Sequence, residues 1–186
     1  HIRMMAAPID PENLIDLDYY ISTHSHSDHM DPGLIPIIIK NNPECIFILP
    51  EAIEDIGLDR GILKNKMVLM DDRREIIFKE NISIFGVASA HEELVKDSLG
   101  HNVFLGYIIK FGNKTIYHSG DCVPYPGIKR KLEPFGIDLA LLPVNGRSNS
   151  LSNDGIAGNF NISEALNLVD ELKIPFLIPH HYGMFR

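Results

Sequence analysis

The sequence has no tryptophan, only two cysteines and no long apolar run, and acidic residues outnumber basic ones. Cys45 and Cys122 cannot form a disulfide framework and are expected to be buried thiols in a reducing compartment. The longest apolar stretch, residues 34–39, is far shorter than the roughly 20 residues that span a bilayer, so no membrane association is predicted. With 25 Asp and Glu against 17 Lys and Arg, the net charge of -8 disfavours nucleic acid as a partner. The start of the sequence shows no leader pattern, so export is not expected.

The hydrophobic periodicity predicts an α/β fold. Short β-branched and aromatic runs alternate with helical patterns and with Gly, Pro and Asn turns, and the length suits one domain over residues 1–186. Strands are predicted over residues 19–23, 45–49, 67–70, 75–79, 82–88, 103–111, 115–118, 139–143 and 176–178. Helices are predicted over residues 32–40, 51–56, 127–135 and 162–172. The last helix has a capping box, Asn161-x-x-Glu164. Turns at residues 79–82 and 111–115 predict an antiparallel meander in the middle of the chain.

Residues 24–29 are the most informative segment, because three histidines and an aspartate follow a buried strand within six residues. On an extended chain residues i and i+2 point the same way, so His24 and His26 can converge on one metal ion. Asp28 and His29 lie where the chain turns toward a helix, and they can face a second ion. A solvated loop with chance histidines does not explain why a hydrophobic strand ends there, where α/β sheets bind ligands.

The order His-x-His-x-Asp-His resembles the signature of the metallo-β-lactamase superfamily. The resemblance implies a four-layer αββα sandwich with the metal ions in a cleft at one edge, between the two sheets. It also implies three further ligands: a lone histidine after a strand, an aspartate after another strand, and a late histidine.

Each of these further ligands has a candidate at a strand end. His91 follows a predicted strand and suits a third ligand for the ion of His24 and His26. Asp121 follows Gly120, which lets the backbone turn sharply, and its two carboxylate oxygens can bridge two ions. An ordinary turn aspartate is the alternative at that position.

The late histidine is one of an adjacent pair, His180 and His181, and alternate residues of a strand face opposite ways. The family pattern, a histidine two places after proline, selects His181 and leaves His180 to face the substrate. His1, His101 and His118 are not expected to be ligands.

The implied centre is a hydrolytic site for two divalent metal ions, manganese or zinc, with iron also compatible. One ion is assigned to His24, His26 and His91, the other to Asp28, His29 and His181, with Asp121 bridging. A hydroxide that bridges the ions is expected to attack an electrophilic carbonyl or phosphorus, with Asp28 as general acid and base. His26 separates the chain from the flavodiiron relatives, which have glutamate at that place.

Residues 143–147, 158–165 and 179–185 resemble one branch in particular, the L-ascorbate-6-phosphate lactonases. That resemblance implies a cytoplasmic, homo-oligomeric enzyme that opens a sugar-acid lactone. Asn145 and Arg147 follow a strand end, and an arginine fork suits the phosphate or carboxylate of a small anionic substrate, although a turn arginine is more often exposed. Thioester or phosphodiester hydrolysis, or metal binding without catalysis, are the rival functions.

The sequence departs from the family at both ends. Members of the family have a β-hairpin region upstream of the first histidine motif and continue beyond the Gly-Met-Phe found here. The sandwich is therefore expected to be incomplete at both ends, with an exposed sheet edge and exposed core surface.

Overall fold

The computed structural model describes residues 9–78, 81–148 and 158–183. Within them, two sheets account for every strand that the sequence predicts. The first sheet is parallel, with the order β1-β2-β3, and consists of β1 (Tyr19–Ile21), β2 (Ile46–Pro50) and β3 (Met67–Met70). The second has the order β4-β5-β6-β7-β8-β9, and consists of β4 (Glu75–Ile77), β5 (Ile82–Ala88), β6 (Leu105–Phe111), β7 (Lys114–His118), β8 (Leu139–Pro143) and β9 (Phe176–His180). It is antiparallel from β4 to β7, as the predicted meander requires, and parallel from β7 to β9.

Four α-helices lie in the described residues, and each predicted helix is present with shifted ends. They are α1 (Leu34–Asn41), α2 (Glu54–Asp59), α3 (Ile128–Leu132) and α4 (Ile162–Glu171). Short 3-10 turns occupy Pro11–Asn13, Glu51–Ile53, Lys64–Lys66 and Glu133–Phe135. The second predicted helix starts as one of these turns and becomes α-helical only at Glu54. None of the helices in the described part of the chain has the length and apolar character of a membrane span.

The helices and sheets stack in four layers, which confirms the predicted αββα sandwich. Side chains alternate along β2, so Ile48 is buried between the sheets while Phe47 and Leu49 pack beneath α1. On the other side, Ile108 of β6 belongs to the core that α3 and α4 cover. Each fully buried aliphatic side chain of these cores contributes about 1.5–3 kcal/mol. Leu105 and Tyr107 point from β6 into the space between the sheets.

The predicted capping box begins α4. The side chain of Asn161 accepts a hydrogen bond from the Glu164 backbone N–H at 2.9 Å, and the Glu164 carboxylate accepts one from the Asn161 N–H at 3.0 Å. Both satisfy backbone donors that the first helical turn leaves unpaired.

Part of the inner face of the six-stranded sheet lies open beside β1. Phe176 and Ile178 of β9 are 68% and 51% exposed. The register places Ile178 beside Leu141, and Leu141 beside His118, on the face that Tyr107 presents to the first sheet. In the described ranges β1 pairs only with β2, so its other edge has no strand neighbour. Among the described residues, part of the inner face of the second sheet is therefore exposed, next to an edge of β1 that has no strand neighbour.

The strand directions gather the polar loops at one edge of the sandwich. The parallel strands β7, β8 and β9 end on the same side, and β5 runs in their direction because it is antiparallel to β6. The chain segments that follow these strands, together with the loop after β1, carry the predicted ligands.

Candidate metal centre

The seven predicted ligand side chains converge at this edge in two groups. The first group consists of His24, His26 and His91, and the second consists of Asp28, His29, Asp121 and His181. Within each group the candidate ligand atoms lie within 4.8 Å of one another. The structure thus brings together the residues that the sequence assigns to each ion, with Asp121, the predicted bridging residue, in the second group.

Asp121 lies between the two groups. Its Oδ2 is 3.7 Å from Nε2 of His91 in the first group and 3.2 Å from Nε2 of His181 in the second. Its Oδ1 is 3.2 Å from Nε2 of His29. The residue is only 4% exposed. A buried carboxylate in this position can contact ions in both groups.

The backbone around Asp121 is held in one place. Gly120 has φ of +63°, and a Cβ at that position would lie 2.8 Å from Cβ of Thr23, so only glycine fits the turn. The Ser89 hydroxyl donates to the Asp121 carbonyl at 2.9 Å, and the Cys122 N–H donates to the Asn159 side chain at 2.7 Å. The carboxylate is therefore presented by a fixed turn.

The loop after β1 is fastened by side chains that sequence reasoning missed. The Ser22 hydroxyl donates to the main-chain carbonyl of His24 at 2.8 Å. The Arg60 guanidinium donates to the carbonyl of Ser25 at 2.7 Å and to that of Met30. Arg60 is distant in sequence and follows no motif, whereas the hydroxyl residue Ser22, two positions before the first histidine, was a signal that could have been used.

The first group of ligands is packed against an aromatic ring. The Phe104 ring centroid lies 5.3 Å from that of His24 and 5.1 Å from that of His91. Nδ1 of His26 and Nε2 of His91 are 3.3 Å apart. Burial lowers the pKa of His24 to about 2, and it also lowers the pKa of His91. Both imidazoles are therefore neutral at pH 7, which is the form that binds metals.

The second group is an ionic cluster in the absence of metal. Burial opposes the charge on His181, but hydrogen bonds to Asp121 and Asp28 outweigh it and raise the pKa of His181 to about 10. The hydrogen bond from His181 lowers the pKa of Asp28 to about 2. Burial would raise the pKa of Asp121, yet the neighbouring imidazoles of His181 and His29 hold it far below the usual range. A protonated His181 thus occupies the place of a cation between two carboxylates.

Orphaned buried atoms show that this donor set fits metal ions. Nε2 of His24, Nε2 of His29 and Oδ1 of Asp121 are buried without a hydrogen-bond partner in the described residues. The last two are 3.2 Å apart but lack hydrogen-bond geometry. Buried polar atoms in native proteins nearly always have a partner. A mixed set of imidazole nitrogens and carboxylate oxygens suits zinc, manganese and iron.

The guanidinium of Arg147, which the sequence predicts to bind an anionic substrate, already has hydrogen-bond partners in the protein. It donates to the Glu164 carboxylate at 2.7 Å and to the Asn159 carbonyl at 3.0 Å. A Cβ at Gly158 would lie 2.3 Å from Cβ of Arg147, so the two segments are in close contact. An anionic substrate would have to compete with Glu164 for this guanidinium, and the role of Arg147 in substrate binding stays a prediction. Asn145 differs, since its Oδ1 is buried without a hydrogen-bond partner in the described residues.

The remaining histidines lie outside the two groups. His180 stands beside His118, with ring centroids 4.9 Å apart, and burial lowers their pKa values to about 3 and about 4. The structure therefore brings His181, and not His180, to the carboxylates. His101 contacts Asp97 at 3.2 Å, and His1 is outside the described residues.

Comparison with known proteins gives one family. A family model described as the β-lactamase superfamily domain matches residues 2–182. A UPF0173 metal-dependent hydrolase of Nanoarchaeum equitans is 33% identical, over 94% of this chain and 75% of that protein.

Solved structures of low identity share the fold. The isothiocyanate hydrolase from Delia radicum gut bacteria superposes with a TM-score of 0.74 at 20% identity, over 98% of this chain and 69% of that one. Igni18, a metallo hydrolase from Ignicoccus hospitalis, gives a TM-score of 0.68 at 21% identity, over 89% of this chain and 64% of that one. This chain thus spans slightly less than two thirds of Igni18.

The contact between Arg147 and Glu164 predicts a measurable coupling. Arg147→Met retains most of the aliphatic stem, and Glu164→Gln retains an acceptor for the capping box. A double-mutant cycle in urea should give a coupling of about 0.2–1 kcal/mol, the range of exposed ion pairs. If the coupling energy between Arg147 and Glu164 is zero and Arg147→Met raises KM for an anionic substrate, the result would instead support a role of Arg147 in substrate binding.

The buried His118 predicts a loss of stability in acid. Because burial lowers its folded pKa to about 4, below about 6.5 in the unfolded chain, stability is fully present above pH 6.5 and falls as the pH drops toward 4. Between pH 7 and pH 5 this histidine should cost the metal-free protein about 2 kcal/mol. In the parent protein the Gly120 N–H donates to Nδ1 of His118 at 2.9 Å. The variant His118→Asn removes the titrating ring but keeps an acceptor for this hydrogen bond.

Urea unfolding of both proteins at the two pH values measures the difference. The variant should lose less stability than the parent, and equal losses would show that His118 is not responsible.

Proposed function

The chain belongs to the UPF0173 metal-dependent hydrolases of the metallo-β-lactamase superfamily, and from that premise we propose that it opens the lactone ring of a small anionic sugar acid with two divalent metal ions. The observation that carries the dinuclear part of this proposal is the buried carboxylate of Asp121 between two groups of ligands. One group alone would supply a mononuclear site, whereas a shared carboxylate is suited to a pair of ions.

The two groups give each ion its own set of donors. We assign the first ion to His24, His26 and His91, and the second to Asp28, His29 and His181, with Asp121 shared. Manganese or zinc is proposed, and iron accepts the same donors. When bound, two divalent cations lower the pKa of water and stabilise the oxyanion of the reaction.

Asp28 is the residue that we propose to move the proton. Its carboxylate is ionised at neutral pH, and its side chain is 24% exposed, so solvent can reach it. It accepts a proton from the attacking water as the water oxygen bonds to the lactone carbonyl carbon. The ring C–O bond then breaks, and Asp28 returns the proton to the departing alkoxide. The product is an open hydroxy acid, and Asp28 is ionised again.

Space for a substrate lies beside these groups. A cavity of about 230 Å³ is lined from the first sheet and its loop by Ile21, Thr23, Asp28 and His29, and from the second sheet by Tyr107, Ile109 and His118. Asn145, with an unsatisfied buried oxygen, and His180, beside His118, are the proposed substrate contacts.

The identity of the substrate as a lactone is the most specific part of the proposal. It is supported by the resemblance of residues 143–147, 158–165 and 179–185 to ascorbate-6-phosphate lactonases. A cytoplasmic location, self-association and the absence of a nucleic-acid partner remain predictions. Self-association is supported by the exposed Phe176 and Ile178 beside the edge of β1 that has no strand neighbour in the described residues.

Hydrolysis of a defined substrate panel tests the proposal. Protein reconstituted with Mn²⁺ or Zn²⁺ is assayed on phosphorylated and unphosphorylated sugar lactones, a thioester and a phosphodiester. Lactone hydrolysis that a chelator abolishes and metal restores is the expected result. Activity confined to the thioester or phosphodiester would overturn the lactone, and metal uptake without any hydrolysis would make this a binding protein.

Two aspartates of the same loop provide a test variant, Asp28→Asn, and its matched control, Asp31→Asn. Asp28→Asn should lower kcat by roughly 100- to 10,000-fold, the usual contribution of a general acid or base. Asp31→Asn should have little effect, because in the described residues the side chain of Asp31 accepts backbone hydrogen bonds from Gly33 and Leu34, which asparagine can also accept. Native activity of Asp28→Asn would remove Asp28 from the chemistry.

A further inference from the structure

We propose that Thr23 is a positioning residue that serves both metal groups with one hydroxyl, an inference that rests on the proposed function. Its Oγ1 lies 3.0 Å from Nδ1 of His24, a member of the first group. The same oxygen lies 3.1 Å from Nδ1 of His29, a member of the second group. These contacts make Thr23 a second link between the groups, in addition to Asp121.

The chemistry of imidazole fixes the direction of both hydrogen bonds. A neutral histidine carries one ring proton, so a ring that binds metal through Nε2 must carry its proton on Nδ1. The orphaned Nε2 atoms of His24 and His29 are the atoms left for metal. A hydroxyl oxygen has two lone pairs, so Oγ1 of Thr23 can accept both Nδ1–H groups at once.

The opposite direction is incompatible with binding of both ions. If the Thr23 hydroxyl donates to one of the two rings, the proton of that ring must sit on Nε2, and the ring cannot ligate. Only the arrangement with two donated Nδ1–H groups lets both rings bind. A hydrogen bond to the far nitrogen of a ligating histidine also fixes the ring orientation and raises its basicity.

The hydroxyl of Thr23 is held where both rings can reach it. The residue is 6% exposed, and its carbonyl accepts a hydrogen bond from the Leu105 N–H at 3.0 Å. Its methyl group faces Gly120, where an added Cβ would lie 3.1 Å from Cγ2 of Thr23. The glycine that turns the chain toward Asp121 thus also makes room for the threonine.

A purely structural role makes a different prediction from this one. Valine has the shape of threonine without the hydroxyl, and alanine has the same relation to serine. If Thr23 only fills space, Thr23→Val should bind metal like the parent. If the hydroxyl orients the ligands, hydroxyl-free variants should lose affinity and Thr23→Ser should largely keep it.

Zinc binding, measured by competition with a chromophoric chelator, distinguishes these outcomes. Thr23→Val should weaken the uptake of both zinc equivalents by about 10- to 100-fold, the usual effect of losing such a partner. Thr23→Ala should bind zinc more weakly than Thr23→Ser by the same factor. This second pair tests the hydroxyl even if the valine variant does not fold. The matched control is Thr115→Val on β7. Circular dichroism of the metal-free proteins checks the fold.

Three results would overturn parts of this account. Parental affinity of both hydroxyl-free variants would show that the hydroxyl does not orient the ligands. A loss confined to one zinc equivalent would contradict the shared role. A parent protein that takes up no zinc or manganese would instead refute the proposed function, which separates that failure from a failure of the inference on Thr23.

Discussion

The burial of the Asp121 carboxylate among histidines is the interaction on which the rest of the site depends. A buried carboxylate needs a positive partner, and in the metal-free protein the protonated His181 supplies it at 3.2 Å. The turn at Gly120 and the hydroxyl of Ser89, which donates to the main-chain carbonyl of Asp121, hold the backbone that carries this carboxylate. Cations at the two ligand groups would take over the electrostatic role of the His181 proton, so metal binding and proton release are linked.

The two-sheet architecture explains how residues distant in sequence reach one place. Strands of both sheets end at the same edge, so one loop from the first sheet meets three loops from the second. The side chains that fix this meeting are ordinary polar groups. Thr23 contacts one ligand from each group. Arg60 holds the loop after β1 by donating to the main-chain carbonyls of Ser25 and Met30.

Local patterns were sufficient for the strands and for the capping box of α4, because each depends on periodicity or on residues within one turn. The αββα layers were predicted from the family resemblance. The ligand candidates of residues 24–29 could be found because they follow a strand, where polar residues interrupt an apolar run. His91, Asp121 and His181 were predicted from the ligand set that the family resemblance implies. The pairing of Arg147 with Glu164 could not be found in this way, since an exposed arginine has many possible partners. The same holds for Phe104, whose position beside His24 depends on how the two sheets pack.

The most direct test of the account is the number of metal ions that the chain binds. Zinc titration of the metal-free protein should give two equivalents per chain. His26→Ala and His181→Ala remove one donor from each group, so each variant should retain one tightly bound equivalent and lose the other. A single zinc equivalent in the parent protein, or the loss of the same equivalent in both variants, would contradict a site in which two metal ions have separate ligand groups and share Asp121.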